Sequence, residues 1–274
     1  MFALPGRAIA TFFALAFAIT WTCFITVATA VPYHTAAGQL LVLLGAYSPA
    51  MAALIVTRMW GGADGIRELL TPLTRWPVGA GWYLFAGIYV VVLKLTAAVV
   101  HRAAFGAWPR FGTESIALIP LAILVSWPFQ AGEEIGWRGF ALPWMAKRMN
   151  WPMASLALGV IWAVWHLPQF FIVDADTYHQ SFVVYALGVV AMSVLFAWAL
   201  VRTHGSLPIV MLMHAAYNNS KDIVPAAASS PPGVFSLAAS RVSMLSVGLL
   251  WVGALFCLWS MSKEPASAAA IEGS

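Results

Sequence analysis

Runs of about 20 mostly apolar residues recur along almost the whole of this chain, and that is the length an α-helix needs to cross the hydrocarbon core of a bilayer. In lipid, every backbone donor and acceptor must be satisfied within the protein, so such runs fold as helices. Composition agrees: 62% of residues are hydrophobic, 9% are charged and the mean hydropathy is +0.84, whereas soluble chains carry roughly a quarter charged residues. The expected fold class is all-α, a polytopic membrane helix bundle of about eight transmembrane helices. Residues 1–274 are expected to form a single integral membrane domain.

In chain order, Arg7 precedes an apolar run from Ala8 to Val31 that ends in Ala28-Thr29-Ala30. The small-residue ending resembles a secretory cleavage site, but the run exceeds the roughly 7–15 residues of a signal core, so it is read as an uncleaved first span. A second span is expected from Gly38 to Met59, kinked at Pro49. Between Asp64 and Pro77, Ile66, Leu69, Leu70 and Leu73 fall at helical spacing with Arg67, Glu68 and Arg75 off that stripe. This predicts a short interfacial helix, with Asp64 as its cap and Trp76 at headgroup level. The third span, Gly81 to Val100, holds Lys94, expected to snorkel to the interface. The fourth begins at Ile116–Phe129 and continues as helix toward Lys147 and Arg148, kinked or ended at Pro143. The remaining spans are Trp151–Ile172, Phe182–Val201, Leu207–Ile223 and Val242–Met261. A Pro/Ser/Ala spacer, Pro225 to Pro232, separates the last two, and the tail after Lys263 is expected to fray.

Basic residues orient the spans. With the N-terminus in the cytoplasm, Arg7, Arg58, Arg67, Arg75, Arg138, Lys147, Arg148, Arg202 and Lys263 fall inside, against Arg102, Arg110, Lys221 and Arg241 outside. Both termini are therefore expected to be cytoplasmic, in a cell inner membrane, with the Asp174–Asp176 loop outside. The net charge of +4 is scattered, and no basic run with interleaved aromatics appears, which sets nucleic acid aside as a partner. Cys23 and Cys257 lie far apart within apolar runs and read as small buried hydrophobes.

The chain has ten acidic residues, and two of them are adjacent in Gly132-Glu133-Glu134-Ile135-Gly136-Trp137-Arg138, directly after an apolar run. Ionisable groups at such a place are costly and point to a functional site. On a helix, neighbouring residues point about 100° apart. Arg138, four residues beyond Glu134, is placed to pair with it on one face. Glu133 faces another way, on the face of Gln130 and Trp137, free of a cation and suited to general acid–base work.

The turn between the fourth and fifth spans falls at Met149-Asn150-Trp151-Pro152. Glu133 lies 16 residues before Met149 and His166 lies 16 after Asn150. In an antiparallel hairpin this puts both side chains at matching depth, roughly 24 Å along each helix. Trp162, one turn before His166, is placed to pack on its ring. On the seventh span, His214 and Asn218 are four apart and share a face. One chemistry for this set is hydrolysis, with Glu133 and His166 activating water and His214 and Asn218 donating to an oxyanion. A second is a divalent metal such as zinc held by Glu133, His166 and His214 with water at the open position. No H-E-x-x-H motif decides between them. Taken singly, a glutamate beside an arginine is an interhelical lock and a lone histidine a bundle contact; the case for function is their conjunction on three spans.

These residues resemble the motifs of the CPBP intramembrane proteases, the group that includes the eukaryotic CAAX prenyl endopeptidases. Glu133-Glu134-x-x-x-Arg138 resembles the first motif. Trp162-x-x-x-His166 resembles the second, in which Phe normally stands where Trp162 is, and His214-x-x-x-Asn218 resembles the third. The motif-bearing core spans about 116–220. The resemblance implies an eight-helix membrane fold and hydrolysis of a peptide bond near the C-terminus of a peptide or protein substrate, with lipid-modified substrates among the candidates. By position, it makes Glu133 the water-activating base with His166, His214 and Asn218 the oxyanion donors, and Glu134 and Arg138 the supporting pair. The family was first described as metalloproteases, and the Trp-for-Phe change bears on pocket shape. Two other classes fit the composition. One is a non-catalytic membrane binding or immunity protein of the same family. The other is a proton- or ion-coupled transporter using Glu133, Glu134 and Lys94, against which the absence of an evident inverted repeat counts.

Overall fold

The structure, a computed structural model, describes residues 5–76, 78–113, 115–221, 223–225 and 233–263. Most of the Pro225–Pro232 spacer, Pro77 and the tail beyond Lys263 lie outside them. The chain is an all-helical polytopic membrane bundle. Its helices are α1 (Gly6–Thr29), α2 (Ala36–Ala46), α3 (Ser48–Leu70), α4 (Ala80–Phe105), α5 (Ile116–Met149), α6 (Trp151–Trp165), α7 (Phe182–Arg202), α8 (Leu207–Asn219) and α9 (Arg241–Ser262). Many large apolar side chains on the outer helices face outward, among them Leu84, Val92, Leu121, Val125, Val252 and Phe256. A soluble protein does not expose so continuous an apolar surface; a bilayer covers it.

Among the described residues, six helices are long and apolar enough to cross a membrane, and the bent pair α2–α3 makes a seventh if counted as one span. The expected span Leu207–Ile223 is shorter than predicted and falls below that length. Its helix, α8, has 13 residues, about 20 Å of rise against a core of about 30 Å. It lies inside the bundle, buried without interruption from Leu207 to Ala216, with α4, α5 and α7 packed around it.

Breaks in the helices fall where the sequence withdraws a backbone donor. The α2–α3 pair bends by 49° at Tyr47, because Pro49 has no N–H to offer Gly45. The hydroxyl of Thr20 on α1 donates to the Gly45 carbonyl instead, at 2.8 Å, and Ser48 donates to the Ala16 carbonyl at 2.9 Å. Of the Asp64–Pro77 piece, Asp64–Thr74 is helical, as its periodicity predicts, but it continues α3 past a kink at Gly62 (φ 63°), a conformation that costs glycine least. Asp64 does not cap it; it pairs with Arg67 at 2.8 Å. The α5–α6 turn falls at Asn150, whose side chain accepts from the Met153 N–H at 3.0 Å and caps α6.

Within α5, residues Ile135–Ala141 form a π-helical segment before Pro143 and α-helix resumes at Leu142. Pro143 therefore neither ends nor sharply breaks the helix; the wider π turn takes up the missing donor. Two glycines of the acidic motif bring α5 against the α2–α3 bend. A Cβ on Gly132 would sit 2.8 Å from the Tyr47 ring, and one on Gly136 would sit 2.5 Å from the Pro49 backbone. Small residues at such a crossing let two helices approach closely in a membrane.

This contact yields a stability prediction. Gly136→Ala forces backbone against backbone and is expected to destabilise by about 1–3 kcal/mol. Gly87→Ala on α4, where a Cβ meets nothing within 4 Å, should be neutral or stabilising. Thermal unfolding in detergent compares the two variants.

Candidate active site

Glu133 and Glu134 leave α5 in different directions, as the 100° separation requires. Glu134 is fully buried. Its Oε1 accepts from Nη1 of Arg138 at 3.0 Å and from Nδ1 of His214 on α8 at 2.7 Å. The remaining guanidinium atoms of Arg138, Nε and Nη2, have no hydrogen-bond partner among the described residues, but the group lies over the rings of Trp162 (4.1 Å) and Phe196 (4.8 Å). In a desolvated place such cation–π contacts contribute about 2 kcal/mol. A cavity of about 110 Å³ touches the other side of this arginine, between Thr57, Arg75 and Pro143, and includes neither Glu133 nor His166.

Glu133 is half-buried. It is not free of partners, as the helical-face argument expects, since its Oε2 accepts from the indole Nε1 of Trp162 at 2.7 Å. His166 is buried, and its Nδ1 lies 2.8 Å from the backbone carbonyl of the same Trp162. A carbonyl only accepts, so Nδ1 carries the proton and Nε2 keeps its lone pair. Trp162 thus holds both residues, the carboxylate through its side chain and the imidazole through its main chain. The direct partner of Glu133 is one turn nearer the hairpin than matching depths predict. The π segment lies between Glu133 and the turn, so that arm does not advance at the 1.5 Å per residue of an α-helix. Trp162 also packs against the His166 ring, with centroids 5.5 Å apart.

The second rung between α8 and α5 is Asn218, whose Nδ2 donates to Oε1 of Gln130 at 3.3 Å. Asn218 is otherwise exposed, while His214 is 2% exposed, so the two share a helix face without sharing an environment. Aromatic rings enclose the histidines. Trp162 and Phe196 flank His214, and Trp165 and Tyr185 flank His166.

A metal at Glu133, His166 and His214 finds no support in this arrangement. Among the described residues, no three His, Cys, Asp or Glu side chains are grouped as a metal ion requires. One nitrogen of each imidazole and one oxygen of Glu133 are held by other partners, an arrangement that orients the side chains with or without a metal. Sequence spacing also left three contacts unread: the Trp162 indole on Glu133, His214 on Glu134, and Gln130 on Asn218. A buried tryptophan N–H ordinarily finds an acceptor, which was the one available signal.

A carboxylate, two imidazoles and an amide, carried on three helices, thus form a polar site inside the membrane bundle. Residues 113–220 match the family model described as type II CAAX prenyl endopeptidase Rce1-like. The CAAX prenyl protease 2 of Methanococcus maripaludis is 23% identical over 131 residues, covering 46% of this chain and 47% of that protein. The chain therefore matches about half the length of this curated relative. That match contains the motif-bearing segment, so over this segment the chain is similar to the CAAX prenyl proteases.

The Glu134 cluster predicts its own failure mode. Glu134→Gln leaves Arg138 buried without a counter-ion and replaces the charged acceptor of His214 by a neutral one, and breaking a buried pair costs about 3–5 kcal/mol. Arg138→Ala should fall in the same range. Both variants should show a lowered thermal midpoint in detergent, with activity falling through loss of folded protein.

Proposed function

We propose that this protein is an intramembrane endopeptidase that hydrolyses a peptide bond near the C-terminus of a CAAX-like peptide or protein substrate, with lipid-modified substrates in its range. The observation that carries the reading is the double hold of Trp162 on Glu133 and His166. It leaves Glu133 Oε1 and His166 Nε2 without a hydrogen-bond partner among the described residues, held within one helical turn of each other by the orienting third group that such pairs require.

In the proposed reaction, Glu133 takes a proton from a water molecule that His166 Nε2 helps to orient. The water oxygen attacks the scissile carbonyl, and the carbonyl oxygen becomes an oxyanion. His214 donates to it from Nε2 in its doubly protonated form, the Nδ1–H being given to Glu134. Asn218 turns from Gln130 to supply a second donor. The proton held by Glu133 then passes to the leaving amine as the C–N bond breaks. Glu134 and Arg138 act by holding His214 and the α5 backbone in place. No step runs through a metal.

The proposed topology has both termini in the cytoplasm, on the distribution of Lys and Arg. Ion pairs support the alternation of the loops. His34 pairs with Asp174 at 3.3 Å and Lys221 pairs with Asp176, which gathers the α1–α2, α6–α7 and α8–α9 connections at one end of the bundle. Arg75 and His204 meet at the other, with Nη1 of Arg75 donating to the His204 carbonyl at 2.7 Å. Reporter fusions at the N-terminus and in the Asp174–Asp176 loop test it; an outward N-terminus rejects it.

The decisive measurement is cleavage of a prenylated C-terminal peptide by the protein in detergent or proteoliposomes. Glu133→Gln preserves shape and the indole contact but removes the base, and a loss of about 10²–10⁴ in rate is expected with an unchanged thermal midpoint. If Glu133→Gln unfolds while Glu134→Gln stays folded and inactive, the roles of the two glutamates are reversed. Trp162→Phe keeps the backbone carbonyl under His166 and removes only the indole N–H. It should lower kcat by about tenfold, the weight of one hydrogen bond, without raising KM.

A further inference from the structure

Lys94 stands within the 26-residue helix α4, roughly 16 Å from its nearer end. That is beyond the reach of a lysine side chain, so snorkelling does not explain it. Instead it lines a cavity of about 60 Å³ between α4, α7, α8 and α9. The other polar walls of this cavity are Gln180, Ser181, Tyr185, Tyr217, Ser243 and Ser246, and no carboxylate is among them. The ammonium has no ion-pair or hydrogen-bond partner among the described residues, and neither phenol hydroxyl has a hydrogen-bond partner there. Gly188 adds no side chain to the wall, and the Tyr217 hydroxyl lies 3.5 Å from where its Cβ would be. Three unpartnered donors thus line one small chamber.

A cation held in an apolar setting without a counter-charge is costly, and the ordinary remedy is an anion in contact with it. At about 60 Å³ the chamber is sized for a small anionic group. It also adjoins the candidate active site. Tyr185 forms part of its wall and at the same time packs on the ring of His166, with centroids 5.5 Å apart.

We infer that this chamber receives the free terminal carboxylate of the substrate, with Lys94 as its counter-ion and Tyr185 and Tyr217 as hydrogen-bond donors. The inference rests on the endopeptidase reading above. It assigns a specificity element to that reaction: a charge anchor beside the cleavage point, which fixes how many residues are removed from the C-terminal end. A carboxylate is preferred over a lipid phosphate because the chamber's wall is shared with the residue that flanks His166.

The test uses two versions of one cleavable peptide in detergent, one ending in a free acid and one in a C-terminal amide. Wild-type protein should cleave the acid with a KM lower by about 10- to 100-fold, the range of a hydrogen bond to a charged group. Lys94→Met should bring the acid to the level of the amide, and Tyr217→Phe, which keeps the ring, should reduce the preference by about threefold. Thermal midpoints of both variants should equal or exceed the wild type, since an uncompensated buried charge is removed in one and little is changed in the other. Equal cleavage of acid and amide by the wild type, or a preference that survives Lys94→Met, overturns the inference while leaving the endopeptidase reading intact. A requirement for anionic lipid that disappears in Lys94→Met also overturns it, by assigning the chamber to a phosphate headgroup. Cleavage of neither peptide by the wild type defeats the endopeptidase reading itself.

Discussion

One carboxylate oxygen, Oε1 of Glu134, accepts from an arginine on its own helix and from a histidine on another, with no water-exposed surface on the carboxylate. Isolated charges at this depth are prohibitively costly, and a pair is tolerated when geometry and surrounding contacts compensate desolvation. The compensation comes from several elements at once. Arg138 lies over two aromatic rings contributed by α6 and α7, His214 reaches in from α8, and α5 itself is pressed against Pro49 through Gly136. Moving any of these helices separates the charges, so the cluster fixes the relative placement of α5, α6, α7 and α8.

Adjacent glutamates then divide the work by direction alone. Glu134 points into the bundle and is spent on structure, whereas Glu133, about 100° around the helix, reaches a half-buried position with one oxygen uncommitted. Trp162 sits between them in effect: its ring supports the guanidinium bound to Glu134, and its N–H holds Glu133. Where the family motif carries Phe, the aromatic face remains but this hydrogen bond does not. The substitution therefore adds a positioning contact to the proposed water-activating pair, beyond its effect on pocket shape.

Periodicity made the long helices legible, because a bilayer allows only one reading of an unbroken apolar run. The i, i+4 rule likewise placed Arg138 on Glu134, and Asn150-Trp151-Pro152 marked the hairpin. Contacts between helices were less legible. His214 and Glu134 are 80 residues apart, and no local spacing encodes which face of α8 turns toward α5. The depth argument for Glu133 assumed uniform α-helix, and the π segment before Pro143 shifted its partner by a turn. The Leu207–Ile223 run was read as a span from its apolarity, yet a helix enclosed by other helices is as apolar as one facing lipid. Lys94 was assigned to the interface by its stem length, since a chamber formed by four helices leaves no trace in any one of them.

The short central helix has a consequence for how water and substrate arrive. Thirteen residues leave roughly 10 Å of hydrocarbon thickness unmatched at the position of α8, and the chain beyond Asn219 is not regular helix. Backbone of that kind survives at membrane depth only when it is shielded by protein or lines an aqueous recess. Ser220, Ile223 and Val224 are buried by neighbouring segments, while Asn218 is exposed. The bundle thus presents less apolar length above the polar site than its long helices do, which, on the proposed reading, gives water a route toward that site. For the proposed endopeptidase, a substrate anchored in one leaflet would then have only to lower a peptide to this level, without carrying its scissile bond to the middle of the bilayer.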